Sequence, residues 1–86
     1  MVMKNITLKY FASVRETIGH ASEAYTTHAD TLAVLRAELA RRGAGFADCL
    51  GAGKVVRIAL NHTMCDESTA LPDAAEVAFF PPVTGG

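Results

Sequence analysis

The sequence predicts an α+β roll: a mixed five-stranded sheet with one main helix packed on one of its faces. Three observations carry this. Apolar and polar side chains alternate with a period of two in short runs towards both ends of the chain. Between those runs, Leu32, Leu35 and Leu39 form a single leucine stripe at helical spacing. The strands alternate rather than being apolar throughout, as strands do when one sheet face is covered and the other meets water.

The elements follow in order. In residues 5–11, Ile6, Leu8 and Tyr10 share one face and Thr7, Lys9 and Phe11 the other, a half-buried strand. Ser13-Val14-Arg15-Glu16 has the form of a capping box, so a short helix is expected to follow and to end near Gly19. Residues 21–27, with Tyr25, Thr26 and Thr27, read as a second strand. Asp30 or Thr31 caps the main helix, which is expected to run to about Arg42. Ala33, Ala37 and Ala40 keep its propensity high, Glu38 and Arg42 form an i,i+4 pair, and Gly43 stops it. Residues 43–54 hold four glycines and read as a loop with a turn around Phe46. Val55–Leu60 is the third strand, with Val56, Ile58 and Leu60 inward. Asn61-His62 is a turn and Thr63–Cys65 a short fourth strand. Leu71-Pro72-Asp73 turns the chain into the last strand, Glu76–Phe80, with Val77 and Phe79 inward and Glu76, Ala78 and Phe80 outward. Residues 1–80 thus form one domain and 81–86 an extended tail.

Composition narrows what this domain does. A chain of 86 residues is one small domain, which buries only roughly 60% of its unfolded surface. With 8 basic against 9 acidic residues it has no charge excess suited to a phosphate backbone, which argues against nucleic acid as a partner. No apolar run approaches the ~20 residues of a membrane span. The first residues carry no signal core or cleavage site, so a cytoplasmic location is expected. Cys49 and Cys65 form no C-x-x-C pair and read as buried free thiols; the two Asn-x-Thr triplets, at Asn5 and Asn61, read as chance matches. His20, His28 and His62 lack metal-ligand spacing and read as polar loop and turn residues, so no metal site is expected. Phosphate-binding glycine loops and nucleophile elbows are absent from the sequence.

The end of the sequence is where chemistry is legible. Pro81 and Pro82 fix φ and stiffen the exit from the last strand, and Val83, Thr84, Gly85 and Gly86 follow. Six residues at ~3.3 Å each reach roughly 20 Å beyond the sheet. A stiff spacer ending in two residues without side chains suits threading into another protein's active site. Glycine lets a narrow tunnel close around the backbone and leaves the carboxylate carbon of Gly86 unhindered. Phe11 and Phe80 lie on the outward faces of the first and last strands. If those strands are neighbours, the two rings form one aromatic patch beside the tail, and aromatic residues are favoured interface anchors.

These residues carry a resemblance. The run Glu76-Val-Ala-Phe-Phe-Pro-Pro-Val-Thr-Gly-Gly86 closely resembles the C-terminal signature of the small subunits of molybdopterin synthase. Tyr10-Phe-Ala-Ser-Val-Arg-Glu16 with Ile18-Gly19 resembles that family's first strand and short helix, and Ala59-Leu-Asn61 its strand ending in an Asn turn. Where members carry Asp-Gly-Asp-Glu before the last strand, this chain has Asp73-Ala-Ala-Glu76. The resemblance implies the ubiquitin-like β-grasp fold and a sulfur carrier in molybdenum cofactor biosynthesis, not an enzyme as an isolated chain. It implies that an adenylyltransferase related to ubiquitin-activating enzymes uses ATP and Mg²⁺ to activate the Gly86 carboxylate, which then becomes a thiocarboxylate; the chain itself binds no cofactor. It implies a heterotetramer with the large synthase subunit, which converts cyclic pyranopterin monophosphate to molybdopterin. Phe11, Met64 and Phe80 match the family's contact surface. Two rival expectations use the same tail: a thiamine-type sulfur carrier, and a ubiquitin-like modifier conjugated to lysines. A plain binding module with an incidental tail is a third.

Overall fold

The computed structural model describes residues 3–82. Five strands form one mixed sheet: β1 (Lys4–Tyr10), β2 (Ser22–Thr27), β3 (Arg57–Leu60), β4 (Thr63–Cys65) and β5 (Glu76–Phe80). Their spatial order is β2-β1-β5-β3-β4. β1 and β5 run parallel in the centre, and every other pairing is antiparallel. Three helices complete the fold: α1 (Ala12–Ile18), α2 (Leu32–Ala40) and α3 (Ala44–Leu50). This is the expected α+β roll in its β-grasp form.

The alternation read from the sequence decides which face is covered. Ile6, Leu8 and Tyr10 of β1 and Val77 and Phe79 of β5 are all buried, and with Ile58 they form the sheet side of the core. Leu32, Leu35 and Leu39 of α2 close it from above, all fully buried. Removing apolar surface of this kind from water stabilises the fold by roughly 25 cal/mol per Å². The opposite sheet face is not uniformly wet. Ala78 and Ala59, paired across β5 and β3, are buried there despite pointing outward. They lie between Lys9 on β1 and Met64 on β4, whose long side chains flank them in the same row.

Five local expectations are corrected. Ser13 caps nothing: α1 starts after Phe11, and no side chain caps its first turn. Ser13 therefore lies inside the first turn, two residues past the N-cap position that Phe11 holds. Its C-terminus does fall at Gly19, which takes φ 101° and donates its N–H to Arg15 O. The main helix is capped by the Thr31 hydroxyl, which accepts from Val34 N at 3.3 Å, but it ends at Ala40 rather than near Arg42. Glu38 does not pair with Arg42. Both reach instead to β2, as described below. The 43–54 segment is not a loop throughout, because residues 44–50 form α3. Its glycines lower helix propensity, but burial of Leu50 and packing of Phe46 and Cys49 against the core outweigh that cost. Gly45 makes the packing possible: a Cβ there would sit 2.9 Å from Thr17 O of α1. β3 also starts two residues later than expected, at Arg57, leaving Val55 exposed.

The two-residue turn between β3 and β4 is Asn61-His62, at φ 50° and 71°. Both angles are left-handed, as a type I′ hairpin requires. Asn61 also ties the turn to β5, accepting from Glu76 N at 2.9 Å through Oδ1 and donating its own N–H to Glu76 O at 2.8 Å.

Candidate functional site

The parallel pairing of β1 and β5 builds the site. It sets Tyr10 opposite Phe79, so the next residues along each strand, Phe11 and Phe80, stand side by side on the outward face. Their rings stack 4.7 Å apart and within 8° of parallel. Antiparallel pairing of β3 places Arg57 beside Phe80, and β4 brings Met64 onto the same face. Phe11, Ala12, Arg57, Met64, Phe80 and Pro81 then line one open groove of about 390 Å³. Phe11 is 40% exposed and Met64 52% exposed. Apart from the Arg57 guanidinium, the side chains lining this groove are all apolar. Such a surface is what aromatic-anchored docking uses.

The structure thus brings Phe11, Met64, Phe80 and Pro81, four of the residues expected from sequence, into one patch. Pro82 lies on the other side of the strand exit, where it lines a smaller groove with Pro81, Ser13, Val14, Thr17 and Cys49. Val83, Thr84, Gly85 and Gly86 lie outside the described residues. The groove therefore lies at the foot of the tail. Ala12 and Arg57 are the two lining residues that sequence reasoning missed, and Arg57 is the charged one. Its position on an outward-facing strand site opposite Phe80 was the available signal.

Behind the patch, on the covered side, a polar network holds the sheet to the helices. Glu23 on β2 is its centre. Its Oε2 accepts from the Tyr10 hydroxyl at 2.7 Å, from His20 Nε2 at 2.9 Å and from Arg42 Nη1 at 3.0 Å, while Oε1 accepts from Arg42 Nη2 at 3.0 Å. Burial alone would raise the Glu23 carboxyl, but the hydrogen bonds from Arg42, His20 and Tyr10 win and hold it at about 2. Burial and the Glu23 bond push the Tyr10 phenol far above its usual range. Hydrogen bonding to Glu23 raises Arg42 further. Arg42 also covers the rings of Tyr25 and Phe46 at 5.1 and 4.5 Å. Glu38 of α2 accepts from the hydroxyls of Tyr25 and Thr27, each at 2.7 Å, and burial with that bond lifts Tyr25 to about 12. His20 is therefore more than a polar loop residue: it bonds Glu23 and packs edge-on against Tyr10.

Neither cysteine is fully buried, contrary to expectation; both are free and half-buried. Cys49 packs against the core from an α3 position that also borders the groove lined by Pro81 and Pro82. Among the described residues, no cluster of three or more His, Cys, Asp or Glu is placed to hold a metal ion, and no helix is long and apolar enough to cross a membrane.

With this geometry in hand, the relatives decide the family. The model of the ThiS family matches residues 8–86. The chain belongs to the ThiS family. It is 38% identical over 81 residues to the molybdopterin synthase sulfur carrier subunit of Escherichia coli (strain K12), a match covering 94% of this chain and 99% of that one. Among solved structures it resembles subunit 1 or 2 in a complex of the two subunits of molybdopterin-converting factor from Helicobacter pylori. That match has a TM-score of 0.64 and 31% identity, and covers 99% of this chain and 100% of that one. It also resembles the HVO 2177 protein of Haloferax volcanii, determined in solution, with a TM-score of 0.80 and 29% identity over 98% of this chain and 88% of that one.

Proposed function

We propose that this chain is the sulfur carrier subunit of a molybdopterin synthase, working in complex with a large subunit and not as an enzyme alone. The observation that carries the reading is the near end-to-end match to the sulfur carrier subunit from Escherichia coli, with 99% of that relative covered. The apolar groove of Phe11, Met64, Phe80 and Pro81 at the foot of the tail supports it.

The chemistry is local to Gly86. A carboxylate is a poor acyl donor, so an adenylyltransferase first joins it to AMP at the expense of ATP, with Mg²⁺, releasing pyrophosphate. The outer sulfur of a donor persulfide then displaces AMP to give an acyl disulfide, and an external thiol cleaves that sulfur–sulfur bond, leaving the thiocarboxylate and carrying off the donor sulfur as a disulfide. The thiocarboxylate is ionised at neutral pH and is a good sulfur nucleophile. Within the synthase, the tail enters a pocket of the large subunit. There Gly86 gives its sulfur to cyclic pyranopterin monophosphate, and two deliveries complete the dithiolene of molybdopterin. Pro81, Pro82, Val83 and Thr84 set the reach, and Gly85 lets the tunnel close around the backbone. Phe11, Met64 and Phe80 anchor the body, each buried ring being worth roughly 1.5–3 kcal/mol. Two such chains on a large-subunit dimer make the heterotetramer.

Deleting Gly86 tests this. It retracts the carboxylate by ~3.3–3.6 Å, and even ~1 Å of misplacement can cost roughly a hundredfold in rate. Molybdopterin formation in a reconstituted synthase is expected to collapse while the melting temperature stays unchanged. A truncated chain that still supports synthesis would overturn the assignment.

A further inference from the structure

The outward sheet face carries one cation that the fold leaves uncompensated. On the strands of that face the sole carboxylate is Glu76, and it is already shared: Lys9 Nζ lies 3.7 Å from one oxygen and His62 Nε2 3.4 Å from the other. Arg57 sits beside Phe80 on the neighbouring strand. It is exposed and makes no hydrogen bond or ion pair among the described residues. The nearby acids do not serve it. Glu67 is taken by Arg36 at 2.8 Å, and Asp66, just past β4, stands farther than an ion-pair distance. Arg57 is thus the polar exception in an otherwise apolar groove.

A partner that covers this groove strips water from the guanidinium. Leaving a desolvated cation unpaired is costly, whereas an Arg–carboxylate pair is the planar, two-pronged match for this group. We propose that Arg57 is a specificity-determining residue of the docking groove, and that the protein seated there presents an aspartate or glutamate beside the apolar side chains that meet Phe11, Met64 and Phe80. The inference rests on the docking role proposed above and adds a charge rule to it. Apolar contact supplies adhesion, and the carboxylate fixes register and rejects partners that place a lysine or an apolar group at that point.

The test measures binding of the full chain to the large synthase subunit of the same organism, at low and high salt, for the wild type, Arg57→Gln, Arg57→Glu, Arg57→Lys and Phe80→Ala. Arg57→Gln is expected to weaken binding about tenfold, chiefly through faster dissociation, and to flatten the salt dependence. Arg57→Glu should weaken it further, and Arg57→Lys should restore part of the loss. All Arg57 variants should melt with the wild type, because the side chain is exposed. If both Arg57→Gln and Arg57→Glu bind within twofold of the wild type while Phe80→Ala binds poorly, the groove is the docking site but the charge rule is wrong. If the wild type fails to bind the large subunit, the docking role falls and this inference falls with it.

Discussion

A single carboxylate, Glu23, shows how one residue can replace an apolar contact. It faces the helices from an edge strand and takes four hydrogen bonds from three side chains. Its pKa is held at about 2, below the ~4.3 of an unfolded glutamate. A folded value below the unfolded one means the ionised form favours the fold. That stability is complete above about pH 5 and is lost as pH falls towards 2. Its size is on the order of 2–3 kcal/mol. Glu23→Gln is therefore expected to be less stable than the wild type at pH 7, and the gap should narrow steadily at pH 3. Urea unfolding at both pH values measures it. A gap that stays constant would show that Glu23 contributes through packing rather than charge.

At the scale of elements, the errors of sequence reading have a common cause. β2 offers its partners Glu23, Tyr25 and Thr27, a polar inward face that no apolar period reveals. It is held by Arg42 and Glu38, the two residues that sequence spacing pairs with each other along α2. Local spacing saw the i,i+4 geometry and could not see a strand lying within reach. α3 was hidden in the same way, its glycines signalling a loop while Leu50 and Phe46 found tertiary partners. The turn before β5 is the converse case, where a departure visible in the sequence has a structural cost. Ala74 stands in the left-handed region at φ 60°, at the position where Asp-Gly-Asp-Glu would place glycine. The left-handed penalty for a residue with a Cβ is roughly 1–2 kcal/mol, partly offset by the larger unfolded entropy of glycine. Ala74→Gly is expected to stabilise the protein by about 0.5–1 kcal/mol, read as a higher urea midpoint at unchanged slope. A lower midpoint would mean that the turn tolerates alanine without strain.

For the whole molecule, the two sheet faces divide the labour. The covered face, with Leu8, Val77 and Phe79 against Leu32, Leu35 and Leu39, makes the fold, and its pattern was legible because burial imposes a strict period. The outward face carries the candidate site. Phe11 and Phe80 were legible as outward residues, but their contact required the parallel β1–β5 pairing, which links residues far apart in sequence. Arg57 became part of the site only once β3 was placed beside β5. In the proposed role, the body serves as a handle for chemistry at Gly86. The central claim is that this carboxylate carries sulfur, and an intact mass of the chain purified from its own cells tests it most directly. The account predicts a population heavier by one oxygen-to-sulfur exchange, which disappears when Gly86 is deleted. An unmodified chain in cells that are making molybdenum cofactor, or a ladder of larger proteins joined through Gly86, would contradict it.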